Sequence, residues 1–399
     1  MKKAAAIILI LAMVFALYGC HDFNDSSEDA PVPDYDVCIN FSDVDKDEVW
    51  DSGSGELIFT QAICVPHVIA AGKDDAVEAI NEDIGRRCEL FREGAEAIKN
   101  AALSLADENA MPNGGQGEAD DSDRAEACTC VFRTNAELNR GDVGVISISY
   151  DVYTYSGGVH GYVSRVSDTY DAKTGEKLSL ETVSDEPELL NQLVYGYILN
   201  ISAGEKYKDD SGESIFFNPD LTESISDIIA GDNWYFNDEG LVFYANPYEL
   251  AAYSYGRVDF VVPYAAMDGL LKEKYVPAAL EGENGMMLAQ SGDGEDAAAP
   301  ELLDTVTLDA EGQSVILTAE ETVYAVQLVL RNNETMSDNF LWYRNYMTTD
   351  EAVELLSFIP DVQPNVILRY TLADGTVIER GISQSGEDGS IILIELAAG

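Results

Sequence analysis

The sequence predicts an α+β protein. Two mixed α/β domains with antiparallel sheets and packed helices are followed by a β-sandwich-like C-terminal domain. Three observations carry this expectation. In residues 143–155 the even positions Ile146, Ile148, Tyr150 and Val152 are apolar, and Ser147, Ser149 and Asp151 between them are polar. A period of two reads as a half-buried antiparallel strand. In residues 74–106, Val77, Ile80, Ile84, Cys88, Phe91, Ala95 and Ile98 recur every three or four positions, which lines one face of a helix. Beyond residue 300 the apolar runs are short and separated by turn residues, the pattern of a sandwich.

Taken in order, Met1-Lys2-Lys3 and the apolar run 4–17 have the form of an export signal. The apolar run is shorter than the roughly 20 residues that cross a bilayer. Residues 1–20 end in Leu17-Tyr18-Gly19-Cys20, which resembles the lipobox of bacterial lipoproteins. That resemblance implies a lipidated Cys20 as the first mature residue and a chain held on the extracellular side of the cell membrane. Residues 21–34 are acidic, contain Ser and Pro, and read as a flexible tether.

The first domain is expected over 35–142. It has strands at 37–41 and 57–65, the helix 74–106 with Asp74 and Asp75 at the positive end of its dipole, a surface loop at 108–124 and a strand at 128–135. That strand should pair with the one that follows, through a loop at Asn139, Arg140 and Gly141. The second domain is expected over 143–280. Gly157 and Gly158 end its first strand in a tight reversal. A second strand covers 162–170, Gly175 closes a short turn, and a third strand covers 177–180. A helix follows at 184–202, striped by Leu190, Leu193, Val194, Tyr197, Ile198 and Ile201, with Pro187 in its first turn. A shorter helix at 221–229 leads into two or three strands over 234–264, with Asp238 to Gly240 as a turn, and a closing helix at 265–274. Residues 281–300 are Gly-, Asp-, Ala- and Ser-rich and read as a linker. The third domain, 301–399, carries seven expected strands, a turn at Ala373-Asp374-Gly375 and one short helix at 350–358.

Lys and Arg number 23 against 73 Asp and Glu, a formal net charge of −50. A nucleic-acid partner is excluded, because a phosphate backbone would be repelled. Cationic partners would be attracted. Of six cysteines, Cys20 is assigned to the anchor. Cys38, Cys64, Cys88, Cys128 and Cys130 remain, and an exported chain admits one or two bridges among them. No histidine sits at the spacing of a zinc finger. Asp43-Val44-Asp45-Lys46-Asp47 begins like a calcium loop, but Glu48 stands where that loop needs Gly and Ser54 where it needs Glu, so it reads as a solvated turn. No metal site and no cofactor are expected.

Gly157-Gly158-Val159-His160-Gly161 precedes a strand and then Thr174-Gly175-Glu176-Lys177-Leu178 and a helix. Together with the block from Trp234 to Tyr264, this resembles the RsiV/PdaC-like extracellular module of lysozyme-sensing anti-sigma factors and cell-wall deacetylases. The resemblance covers residues 35–275. It implies the fold of the first two domains and a ligand that is a cationic, lysozyme-like protein or peptidoglycan. The separate catalytic domain of the deacetylases, with its two histidines and aspartate, has no counterpart here. Nor is any segment expected before the leader to hold a sigma factor.

The candidate ligand-binding residues are Tyr153, Tyr155, Gly157, Gly158, His160, Tyr248, Tyr253 and Tyr255. Tyrosine joins a large apolar face to a hydroxyl and suits a recognition surface. Alternation puts Tyr153 and Tyr155 on the face away from Ile148 and Tyr150. His160 is expected to hydrogen-bond into its turn, since His21 and His67 are the only other histidines and no G-x-S-x-G elbow exists. No catalytic residue is assigned. The expected function is a non-enzymatic surface lipoprotein that binds an extracellular ligand. The rivals are a peptidoglycan-acting hydrolase or deacetylase-associated protein with a site near His160, and a structural envelope protein.

Overall fold

The computed structural model describes residues 7–10, 37–71, 73–110, 129–277, 301–308, 313–319, 322–332, 337–358, 365–372, 376–384 and 391–395. Cys20, the tether, Cys128, the linker 281–300 and the turn at 373–375 lie outside them. The chain is α+β and divides into two compact units. One comprises Val44–Pro66 and Asp75–Pro277; the other comprises Met1–Asp43, His67–Asp74 and Ala278–Gly399.

The first of these is built on a five-stranded sheet in the order Val44–Trp50, Leu57–Cys64, Cys130–Gly141, Val145–Tyr155, Tyr162–Asp171. Leu57–Cys64 and Cys130–Gly141 run parallel, because the helix Asp74–Ala110 crosses over between them; the other pairs are antiparallel. The helix buries Ala76, Ile80, Ile84, Cys88, Phe91 and Ala95. Phe91 meets Tyr150 of the sheet edge to face at 5.3 Å.

The strand Val145–Tyr155 is buried on both faces at its first half. Ser147 and Ser149 are as inaccessible as Ile146 and Ile148. The small polar side chains let a second sheet come close and bond to it. The Phe236 N–H donates to Ser147 Oγ at 3.2 Å, and Ser167 Oγ donates to the Trp234 carbonyl at 2.7 Å. This second sheet is antiparallel, in the order Val258–Pro263, Gly240–Ala245, Trp234–Phe236. With the helices Pro187–Ile201 and Thr222–Ala230 it encloses a core that includes Leu190, Val194, Ile198, Ile225, Phe243 and Phe260.

The other unit is a sandwich. A sheet ordered Ile391–Glu395, Val377–Gln384, Val366–Thr371, Val323–Asn332, Ser337–Met347, Val37–Asn40, His67–Ala71 faces one that holds Gln313–Thr318, Glu351–Phe358 and Glu301–Thr307. Trp342, Leu328 and Leu368 of the first sheet share a core with Val315, Leu317 and Leu355 of the second. Ile7–Ile10 pairs in parallel with Gln313–Thr318.

Several expectations are corrected. Residues 350–358 form the strand Glu351–Phe358, paired on both sides, where a helix was expected; eight residues are too few for periodicity to decide. The expected strand 177–180 is a single bridge, Tyr170 to Lys177. The closing helix 265–274 is two short 3₁₀ turns, Tyr264–Met267 and Glu273–Tyr275. The acidic stretch from Asp43 is no turn. It becomes the edge strand Val44–Trp50, on which Asp45 accepts from Arg92 at 2.6 Å and Asp47 from Lys99 at 3.0 Å. Cys38, Cys64, Cys88 and Cys130 are buried, and no disulfide joins any two of these described residues. Residues Val37–Asn40 and His67–Ala71 pair within the sandwich sheet, and Cys130–Gly141 continues into Val145–Tyr155 as one sheet, so the expected cut at 142 divides a hairpin.

Candidate functional site

Where the second sheet ends, the far half of Val145–Tyr155 opens. The face that carries Ser147 and Ser149 continues through Asp151, Tyr153 and Tyr155. Its cross-strand neighbours are Arg165 beside Asp151, Val163 and Arg133 beside Tyr153, and Glu137 beside Ser149. Sequence alternation thus yields a floor that changes from dry serine to paired charge to aromatic rim.

The rim is made by two loops. In the first, Gly157 and Gly158 take φ of 96° and 106°, values that a side chain resists. The Tyr155 hydroxyl braces the loop by donating to the Gly158 carbonyl at 3.0 Å. Val159 at the tip is fully exposed. Gly161 is buried because the Tyr153 ring lies where its Cβ would be, 2.4 Å away. The second loop runs from Asn246 to Arg257. Asn246 anchors it by accepting from the Arg165 N–H at 2.6 Å and returning a bond to the Arg165 carbonyl at 3.3 Å.

Tyr248 is held at φ 74°, an uncommon conformation for a tyrosine. It projects to 3.5 Å from His160 Nε2. His160 stacks on Tyr253 at 4.3 Å and 20°, and Tyr248 lies 5.6 Å from Tyr253. The Gly161 carbonyl accepts from both His160 Nδ1 at 2.8 Å and the Tyr253 hydroxyl at 2.9 Å. That contact puts the imidazole proton on Nδ1 and leaves Nε2 as acceptor for Tyr248. His160 does bond within its loop, but it is exposed, and its partners are rings and a carbonyl. Tyr255 is half-exposed at the end of the 3₁₀ turn Tyr253–Tyr255.

Between the loops lies a cleft of about 290 Å³, lined by Val163, Arg165, Asn246, Pro247, Tyr253, Ser254, Gly256 and Arg257. Its floor is an ion network. Arg165 grips Asp151 in two bonds, of 2.7 and 2.8 Å, and reaches Glu137 at 2.9 Å. Arg257 grips Asp259 at 2.7 and 3.0 Å and reaches Asp151 at 3.3 Å. Burial works against both guanidinium charges, yet these carboxylates raise their pKa and keep them protonated. Burial also raises the phenols of Tyr235, which Arg165 reaches, and of Tyr162, which donates to the Pro247 carbonyl.

Of the residues singled out in the sequence, the fold gathers His160, Tyr248 and Tyr253 into one stack, with Tyr153 beneath Gly161. Tyr155, Gly157 and Gly158 shape the loop, and Tyr255 stands at the edge. Sequence reasoning missed Arg165, Arg257 and Asn246. The available signal was Arg165 on the polar face of its strand in a chain so poor in basic residues. Among the described residues no group of three or more His, Cys, Asp and Glu is placed to hold a metal ion, and no helix is long and apolar enough to cross a membrane.

Residues 186–265 match the model of DUF3298, a family of proteins of unknown function. The match includes the Asn246 to Arg257 loop but not the Gly157 loop or Arg165. A DUF3298-family crystal structure from Bacteroides fragilis NCTC 9343 is similar, with a TM-score of 0.39 and 17% identity, covering 59% of this chain and 96% of that one. Another, from Pseudomonas aeruginosa PAO1, has a TM-score of 0.37 and 16% identity, covering 63% of this chain and 99% of that one. No curated protein matches the chain.

Proposed function

We propose that the chain is a non-enzymatic ligand-binding protein of the cell envelope, an RsiV/PdaC-like module held on the extracellular side by a lipid on Cys20. Its ligand is cell-wall peptidoglycan, engaged at the rim and cleft between the two loops. The observation that carries this reading is the His160–Tyr253 stack, with Tyr248 against it, at the mouth of an open cleft. Stacked rings offer flat apolar faces to a sugar and hydroxyls at their edges. General acid–base catalysis favours His160 paired to a group that can take or hold its proton. Its partners here are a backbone carbonyl and a tyrosine hydroxyl.

A cationic, lysozyme-like protein is the second reading, favoured by the net charge of −50 and by the fully exposed Val159 at the loop tip. Opposite fields would speed that encounter and would be screened by salt. Co-sedimentation of the full chain with purified peptidoglycan, beside surface-binding kinetics on immobilised lysozyme, tests both. Retention on peptidoglycan that Tyr253→Ala loses supports the first reading. Binding to lysozyme alone, slowing steeply with salt, replaces it with the second; binding to neither refutes both. Cys20→Ala should leave the precursor unprocessed or release the protein into the medium, and unchanged membrane retention after normal processing would refute the anchor.

A further inference from the structure

We infer that the cleft takes a single neutral, hydroxyl-rich sugar ring and discriminates against the same ring carrying a carboxylate. The inference rests on the proposed reading of this cleft as the ligand site and names its chemistry. Size comes first. About 290 Å³ lies just below the roughly 300–1,000 Å³ typical of small-molecule pockets, which suits one sugar ring.

Charge decides the class of ring. Among the described residues, Arg165 and Arg257 are the charged ones that line the cleft, which taken alone suggests an anion site. Behind them, however, stand Asp151, Asp259 and Glu137, each already gripped by a guanidinium. Two cations against three carboxylates leave the floor with a negative excess. An incoming carboxylate would meet that excess inside a molecule of net charge −50.

What the floor still offers is hydrogen-bond donors. Arg257 Nη1 makes a single long bond of 3.3 Å and Arg165 Nη1 one of 3.4 Å to the Tyr235 hydroxyl, although each nitrogen carries two N–H groups. Charge-neutralised guanidinium N–H groups suit hydroxyl and amide oxygens. Tyr253, backed by His160, supplies a face for the ring, while Val163 and Pro247 give an apolar wall on which an acetamido methyl can rest.

The test is titration of the full chain by ligand-observed NMR with methyl N-acetyl-β-glucosaminide and with N-acetylmuramic acid. The two share a ring; the second adds a 3-O-lactyl ether whose carboxylate carries the charge, and its methyl ester, equally bulky but neutral, separates charge from size and should bind more tightly than the acid. The neutral probe should bind saturably and at least about tenfold more tightly, equivalent to about 1.4 kcal/mol. Tyr253→Ala should abolish binding in a variant that still unfolds in one cooperative transition. Glu137→Gln, which removes one carboxylate from behind the floor, should narrow the preference, a change that a purely structural role for Glu137 would not produce. Equal or tighter binding of N-acetylmuramic acid overturns the inference, as does neutral-probe binding that survives Tyr253→Ala. No saturable binding of the neutral probe by a chain that still sediments with peptidoglycan overturns this inference and leaves the binding function standing; loss of both removes the function with it.

Discussion

Asp171 shows how one residue ties local geometry to stability. It is buried at the end of Tyr162–Asp171, where it accepts from Lys274 Nζ at 2.7 Å, from the Tyr275 hydroxyl at 3.0 Å and from the backbone of Lys173 and Thr174. Burial alone would raise its pKa, but these donors hold the carboxyl below its ordinary value. A depressed folded pKa means that the stabilisation is complete above about pH 4 and is lost as pH falls through the lower folded value. Asp171→Asn is expected to cost about 1–3 kcal/mol at pH 7. The gap from the parent should close in urea unfolding below pH 4. Glycines matter at this scale too. Gly175 takes φ 73° against the helix, where a Cβ would stand 2.5 Å from the Ala76 carbonyl. The sequence makes Gly175 legible as a turn, since a glycine after Asp171 is local chemistry. What it turns against is not legible there.

At the scale of elements, the long helix is fastened to the sheet by a polar clamp as well as by its apolar stripe. Asp168 has a wholly buried side chain. It accepts two bonds from Arg87, of 2.8 and 2.7 Å, and one from Lys177, which also reaches Asp83 at 3.3 Å. Burial opposes the Arg87 charge, but the bonds to Asp168 outweigh it and raise its pKa. Removing one partner of a buried pair leaves the other uncompensated. Arg87→Ala should therefore cost up to about 3 kcal/mol, the low end of that class because Lys177 remains. Adding Asp168→Asn should cost less than the two single changes together, a coupling that a double-mutant cycle measures. The stripe on the helix is largely legible: Ile80, Ile84, Cys88, Phe91 and Ala95 are buried as their spacing predicts, while Val77 and Ile98 are only half-buried and Ala76 takes a buried place that the spacing does not mark. The clamp is not, because Arg87 and Asp168 stand 81 positions apart. The serine face of Val145–Tyr155 misleads for a related reason: serine reads as solvent-facing until a second sheet is found bonded to it.

For the whole molecule, the α+β class and the sheet-rich C-terminal region follow from pattern alone. The division into units does not. Val37–Asn40 bonds to Ser337–Met347 some 300 residues away, and nothing local in either segment reports it. The rim tyrosines stood out by composition. The arginine floor beneath them did not, since its meaning depends on Asp151, Asp259 and Glu137 arriving from different strands. Net charge acts at this scale as well. In the proposed reading it biases which partners approach, while the cleft selects among them.

In the proposed function the His160 loop holds a ligand and does not transform it. The direct measurement is to incubate the full chain with labelled peptidoglycan, recover the bound material and assay it for new reducing ends, released acetate and freed stem peptides. The ligand should be recovered chemically unchanged, with retention reduced in Tyr253→Ala and no product formed by the parent or by His160→Gln. Product formed by the parent and lost in a normally folded His160→Gln variant would contradict it.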